Sequence, residues 1–278
     1  MKPMDAHLPS PSARTGSSRP FITLSGISKT FPDSSKGNDG AVEALRSISF
    51  SFPRNSFISI VGHSGCGKST LLRIVSGLET ASSGLIEIDG MSPAEFSKDR
   101  PFGFVFQDAG LLPWKTTLEN VRLPLDIFNI ETPAVRDRRA REMLDLVHLN
   151  GFEDRYPAHL SGGMRQRASI ARSLCYRPDV LLMDEPFGAL DDFTRREMGD
   201  ELLRIYAQRQ ATVLFVTHSL SEAVLLSDFV VVLLPRPGRV EKIIPIELER
   251  PRGSAVRSSA KFRAYVAELE ALIFGEGS

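Results

Sequence analysis

The sequence has only two cysteines, Cys66 and Cys175, among 278 residues. So small a number excludes both a disulfide framework and a cysteine-built zinc site. Neither sign of charge is in excess, because Lys plus Arg and Asp plus Glu each total 34. Without a net field, neither nucleic acid nor an anionic membrane is favoured, and partners have to be argued from sites. Long apolar runs are missing as well. The longest, Phe229 to Leu234, has six residues, far short of the roughly 20 that span a hydrocarbon core. The chain is therefore not expected to cross a membrane by itself. Residues 1–20 hold four Ser and four Pro and no apolar stretch, so they read as a disordered leader and not as a signal peptide. A cytoplasmic location is the expectation, and the two cysteines do not contradict a reducing compartment. The remaining composition, 42% hydrophobic and 24% charged, is that of a globular chain long enough to bury a real core.

Phe21 to Leu24 and Ala44 to Phe52 carry β-type patterns separated by the turn-rich stretch from Pro32 to Gly40, which predicts a small antiparallel sheet. At Phe57 the pattern changes. Ile58 to Val61 reads as a buried strand, and Leu71, Ile74, Val75 and Leu78 follow at helical spacing. Val180 to Met183, Thr212 to Val216 and Phe229 to Leu234 are further apolar runs separated by helical stretches, the pattern of a parallel sheet covered on both faces. The predicted class is α/β. Residues from about 112 to 160 lack β-runs, carry a capping-box spacing at Thr116 and Glu119, and read as a helical insert. Within it Ala140, Met143, Leu144 and Val147 form one apolar stripe, while Arg136, Arg138, Arg139 and Arg141 lie largely off it as a solvated face. A last helix is expected with Phe262, Tyr265, Val266, Leu269, Leu272 and Ile273 on its packed side.

Gly62-His63-Ser64-Gly65-Cys66-Gly67-Lys68-Ser69, followed by Thr70, places two glycines five apart before Lys and Ser, between a predicted strand and a predicted helix. The glycines let backbone N–H groups turn toward phosphate oxygens, and the helix aims its positive end at the same anion. Lys68 is then expected at the β and γ phosphates and the Ser69 hydroxyl at Mg²⁺. Val180 to Met183 leads directly into Asp184-Glu185, which delivers two carboxylates to the crevice where open α/β sheets bind ligands. Asp184 suits a second-sphere Mg²⁺ ligand, and Glu185 suits a general base acting on water. Hydrolysis of ATP is favoured over binding alone. A second anion site is expected at Leu160-Ser161-Gly162-Gly163, where Ser161 caps a helix continuing through Ala168, Ala171 and Cys175. One nucleotide cannot easily use both sites within a compact monomer, which implies two chains head to tail.

With these motifs together, the chain resembles the ATPase subunit of an ATP-binding-cassette transporter, a phosphate-loop NTPase fold, over essentially residues 21 to 250. The resemblance implies a nucleotide-binding domain over 21–250 and a C-terminal helical extension over 251–278. It implies that Gln107 is the Q-loop glutamine touching Mg²⁺ and the attacking water. It further implies that Gly188-Ala189-Leu190-Asp191 is the D-loop at a dimer interface, that His218 is the switch histidine at the γ-phosphate, and that Phe31 stacks on adenine. A core aromatic is an equally good reading of Phe31. His7, His148 and His159 read as ordinary surface or core residues, and Cys66 as a small loop residue.

Leu111-Leu112-Pro113-Trp114, after Gln107, together with Met164-Arg165-Gln166-Arg167, resembles ATPases of importers for nitrate, taurine and aliphatic sulfonates. The implied partners are a second copy of the chain, an integral membrane permease and, indirectly, an extracytoplasmic solute-binding protein, with no nucleic acid. The implied location is the cytoplasmic face of the inner membrane. Trp114 has two open readings, a docking groove for the permease or a buried core residue of the insert. A soluble ATPase of the same fold acting on nucleic acid or ribosomes is the alternative; such proteins typically carry two cassettes, coiled coils or a basic patch. A phosphate-loop kinase leaves the Ser161 motif unexplained.

Overall fold

A computed structural model describes residues 19–32, 41–208 and 211–275. The expected leader up to residue 18 and the expected loop over 33–40 lie outside the described residues. The first half of the chain runs β1 (Ile22–Pro32), β2 (Ala41–Phe52), β3 (Phe57–Gly62), α1 (Lys68–Val75), β4 (Ser83–Ile88), α2 (Pro93–Asp99) and β5 (Gly103–Val105). Three helices follow, α3 (Thr117–Ile127), α4 (Pro133–Leu146) and α5 (Gly162–Cys175). Then come β6 (Val180–Asp184), α6 (Asp192–Gln208), β7 (Thr212–Val216), α7 (Leu220–Leu226), β8 (Phe229–Leu234) and β9 (Arg239–Pro245). The last elements are α8 (Ser254–Arg257) and α9 (Ala260–Phe274).

The large sheet has the order β5-β6-β7-β3-β8-β9, parallel except for the β8–β9 hairpin edge. The small sheet is antiparallel in the order β2-β1-β4, so the two N-terminal strands acquire a third partner from beyond α1. Alternation along the buried strands explains why the large sheet is covered twice. Phe57, Val61, Leu181, Met183, Val213, Phe215, Val230 and Val232 enter one core with residues of α3 to α7 and α9. Ile58, Ile60, Val180, Leu182, Leu214, Val216, Val231 and Leu233 enter the other with α1, α2 and the small sheet.

Local chemistry fixes the helix starts. Thr116 and Glu119 close the expected capping box at α3, each side chain bonded to the other residue's backbone N–H. Ala140, Met143, Leu144 and Val147 are buried, as their spacing predicts. Arg141 pairs with Asp137 and Arg139 with Glu131, while Arg136 reaches Asp126 and the Ile130 and Glu131 carbonyls. On α9, Phe262, Leu269 and Ile273 are buried, and Tyr265, Val266 and Leu272 pack partly against the same core.

Candidate functional site

The site is assembled at the carboxyl ends of adjacent parallel strands, where an open α/β sheet leaves a crevice. β3 ends at Gly62, whose φ is 153° and where a Cβ would lie 2.2 Å from the Leu233 carbonyl oxygen of neighbouring β8. Only glycine fits so close to that strand. The turn closes at Gly67, with φ 96° and Leu45 Cδ2 2.5 Å from a would-be Cβ. α1 then starts at Lys68 with no side-chain cap and no acidic residue in its first turn. Its leading amides and positive end are left for an anion. Lys68 is buried and donates to the carbonyls of Gly62 and His63, each at 2.9 Å. Cys66 is buried in the loop, and burial raises its thiol pKa, in keeping with an inert packing role. Ser64 and Gly65 lie exposed at the loop tip.

β6 pairs with β7 up to Asp184 opposite Val216, which brings two strand ends level. Asp184 is buried, and its Oδ1 accepts the Ser69 hydroxyl at 2.9 Å. Burial raises the Asp184 pKa first, and the neighbouring Glu185 charge adds to this, against the lowering effects of Ser69, Arg73 and Lys68. Glu185 adopts a left-handed conformation, φ 46°, and its N–H is held by the Val216 carbonyl at 2.9 Å. A non-glycine residue held in this region marks a position whose geometry is over-determined by its surroundings. Its Oε2 lies 3.5 Å from Nδ1 of the exposed His218 side chain, which follows β7. Lys68, Ser69, Asp184, Glu185 and His218 are therefore brought together.

Gln107 follows β5, which pairs with β6 at Val105 and Met183, so it emerges exposed beside the Asp184 strand end. The segment is gripped by α5. Gln166 donates to the Phe106 carbonyl at 3.0 Å, and Arg172 donates to the carbonyls of Ala109 and Gly110, both at 2.9 Å. Burial lowers the Arg172 pKa. Ser161 caps α5 by accepting the Met164 N–H at 3.2 Å. A Cβ on Gly163 would lie 3.2 Å from Leu190 Cδ2, so the Ser161 motif and the loop ending at Asp191 sit side by side. Asp191 accepts the N–H groups of Phe193 and Thr194 and the Thr194 hydroxyl, and the Thr194 backbone bond is the leading cause of its lowered pKa. Among the described residues no hydrogen bond or ion pair joins Ser161, Gly162 or Gly163 to the phosphate loop. Phe31 is half-buried on β1 opposite Val42, with Lys29 Nζ 4.8 Å from its ring centroid.

Trp114 is 70% exposed, which excludes the buried-core reading. Backbone bonds from Thr117 to Arg155 and from Leu118 to Glu153 bring exposed Phe152 and Tyr156 to the same region. Sequence reasoning missed Glu222 and its partners. Thr217 donates to Glu222 at 2.6 Å, Arg195 lies 3.7 Å from Glu222, and Arg195 also donates to the Leu190 carbonyl. Its one signal was the S-x-x-E spacing from Ser219. For Gln166 the signal was a polar residue spaced with buried Ile170 and Ser173.

Among the described residues, no three His, Cys, Asp or Glu side chains converge as a metal cage. The oxygen pair of Ser69 and Asp184 fits a hard cation that takes its remaining ligands from phosphate and water, as Mg²⁺ does.

A family model described as ABC transporter matches residues 45–188. The chain is 40% identical over 247 residues to the aliphatic sulfonates import ATP-binding protein SsuB of Bacillus cereus, covering 89% of this chain and 94% of that protein. It is 40% identical over 234 residues to the bicarbonate transport ATP-binding protein CmpD of a Synechocystis species, covering 84% and 81% respectively. Its fold is similar to the dimeric post-hydrolysis structure of an ATP-binding cassette bound to ADP and Pi, with TM-score 0.73, 32% identity, and coverage of 82% of this chain and all of that one.

Proposed function

The chain belongs to the ABC transporter family, and from that membership we propose that it is the ATP-hydrolysing subunit of an importer that works through a separate permease. Two copies act head to tail, each Ser161 motif completing the nucleotide site of the other. The observation that carries the reading is the meeting of Ser69 with Asp184 at 2.9 Å beside Glu185 and His218 at 3.5 Å, below a helix start left uncapped. These are the groups that one chain would contribute to hydrolysis of a nucleotide γ-phosphate.

In this mechanism the phosphate loop from Gly62 to Thr70 cradles the phosphates with its backbone, and Lys68 exchanges its loop carbonyls for phosphate oxygens. Glu185 accepts a proton from the attacking water, and His218 orients that carboxylate while contacting the γ-phosphate. Ser69, Gln107 and Asp184 would hold Mg²⁺, which neutralises charge on the β and γ oxygens when bound. Ser161, Gly162, Gly163 and Asp191 act on the partner's nucleotide, and Phe31 stacks on adenine. The solute is a small anion, with aliphatic sulfonate or taurine ahead of nitrate and bicarbonate, and a solute-binding protein delivers it. No helix among the described residues is long and apolar enough to cross a membrane. A peripheral position on the cytoplasmic face of the permease accords with that.

The test is turnover with the two loop chemistries separated. Glu185→Gln is expected to bind MgATP yet lose hydrolysis by at least about 100-fold, the scale of lost acid–base catalysis. Lys68→Ala is expected to lose nucleotide affinity itself. Near-normal turnover in the first variant, or unchanged affinity in the second, would overturn the assignment.

A further inference from the structure

The phosphate loop has a contact that nucleotide chemistry does not require. His63 Nε2 lies 2.9 Å from the backbone carbonyl of Ile273, and its ring stands edge-on to Phe274 with centroids 5.4 Å apart. Ile273 and Phe274 are the last two residues of α9, so residues more than two hundred positions away touch the loop. A carbonyl can only accept, so Nε2 carries the proton and donates. Helix ends leave their last carbonyls without intrahelical partners, and an imidazole is a favourable donor there.

The same residue governs the loop's shape. The His63 carbonyl accepts both the Lys68 ammonium at 2.9 Å and the Cys66 N–H at 3.3 Å. Fixing His63 therefore fixes the position from which Lys68 starts. α9 is itself firmly seated: Lys242 pairs with Glu268 at 2.7 Å, the Tyr265 hydroxyl accepts the Glu247 N–H, and Ile273 is buried. It also packs on α7, the helix that opens directly after His218.

We propose that the carboxyl end of α9 is a built-in strap that holds the phosphate loop in its anion-ready shape through His63, which makes His63 and Phe274 positioning residues for MgATP. A loop held in the bound shape forfeits less freedom on binding, so the strap acts on affinity and leaves the hydrolytic step alone. The inference rests on the phosphate-loop reading above.

The experiment is a double-mutant cycle on nucleotide affinity in the full chain, measured with MgATP, alongside kcat, KM and thermal melting. The variants are His63→Ala, a chain ending at Ala271, and their combination. Each single change is expected to weaken affinity and raise KM by about 3- to 10-fold, the scale of one lost hydrogen bond, with kcat nearly unchanged. The combination is expected to be no worse than either change alone. His63→Gln, which keeps an N–H donor, should recover most of the affinity. If the shortened chain melts much lower, Phe274→Ala takes its place in the cycle, since that side chain is exposed; it removes the ring contact and keeps the Ile273 carbonyl, so a loss smaller than that of His63→Ala is expected. Unchanged affinity in the single variants, or effects that multiply in the combination, would overturn the strap. Lys68→Ala is the control: if it binds MgATP as the wild type does, the phosphate-loop reading has failed, and not the strap.

Discussion

Asp184 and Glu185 are consecutive, yet the fold sets them in different surroundings. Asp184 ends a buried strand and is held by Ser69, whereas Glu185 is turned out by its left-handed backbone toward His218. The same logic reaches Glu222, which sits one step behind His218. Burial raises the Glu222 carboxyl above its ordinary 4.5, against the opposing pull of Thr217, Arg195 and His218. A raised acid contributes its stability in full below the ordinary value and loses it as pH climbs through the raised one. Glu222→Gln keeps an acceptor for Thr217 and never ionises. Its melting temperature is expected to exceed that of the wild type at about pH 8, with the gap closing toward about pH 4. A gap that stays constant with pH would show that the ionised carboxylate carries no burial cost. The phosphate loop was legible in the sequence because backbone geometry demands glycine, and phosphate and Mg²⁺ chemistry demands lysine and serine, at fixed spacing along one segment. Glu222 was not, because Thr217 and Arg195 reach it from different elements.

At the scale of elements, the helix between the Q-loop segment and α4 depends on its first turn. Thr116 and Glu119 each satisfy the other's N–H at the start of α3, and the next residue, Asn120, binds the Leu112 N–H and the carbonyls of Leu112, Lys115 and Thr116. Thr116→Ala removes the cap and is expected to cost about 1 kcal/mol, a drop of about 2–4 °C in melting temperature for a chain of this size. An unchanged melting curve would mean the box is not stabilising. The buried strands β3, β6, β7 and β8 could be read from their apolar runs, since both faces are covered. β5 has three residues, β4 opens on exposed Ser83 and Gly84, and β9 is an edge carrying Arg239, Glu241 and Lys242. Such strands hold no continuous apolar run, and pairing with neighbours distant in sequence defines them. The grip of Gln166 and Arg172 on the Q-loop segment is equally a product of tertiary placement.

For the whole molecule, a transport ATPase needs one rigid body that feels both the γ-phosphate and the membrane partner, and α5 with the segment it grips has that form. Ser161 caps its start, Gln166 holds Phe106, and Arg172 holds Ala109 and Gly110, a few residues before Trp114. Trp114, Phe152 and Tyr156 are each exposed, and backbone bonds from Thr117 to Arg155 and from Leu118 to Glu153 tie their segments together. Exposed aromatics of this kind are the usual anchors of a protein interface, and nothing in the nucleotide site requires them. Closing two cassettes would therefore shift the aromatic surface together with Gln107. Because Trp114 is exposed, Trp114→Ala is expected to change stability by no more than about 0.5 kcal/mol and to leave the MgATPase of the isolated subunit near that of the wild type. In the assembled transporter the same change is expected to abolish most uptake, sulfonate being the first solute to assay. A large fall in melting temperature, or full uptake at normal permease association, would refute the docking role, because a permease helix seated on this surface cannot be indifferent to losing its largest anchor.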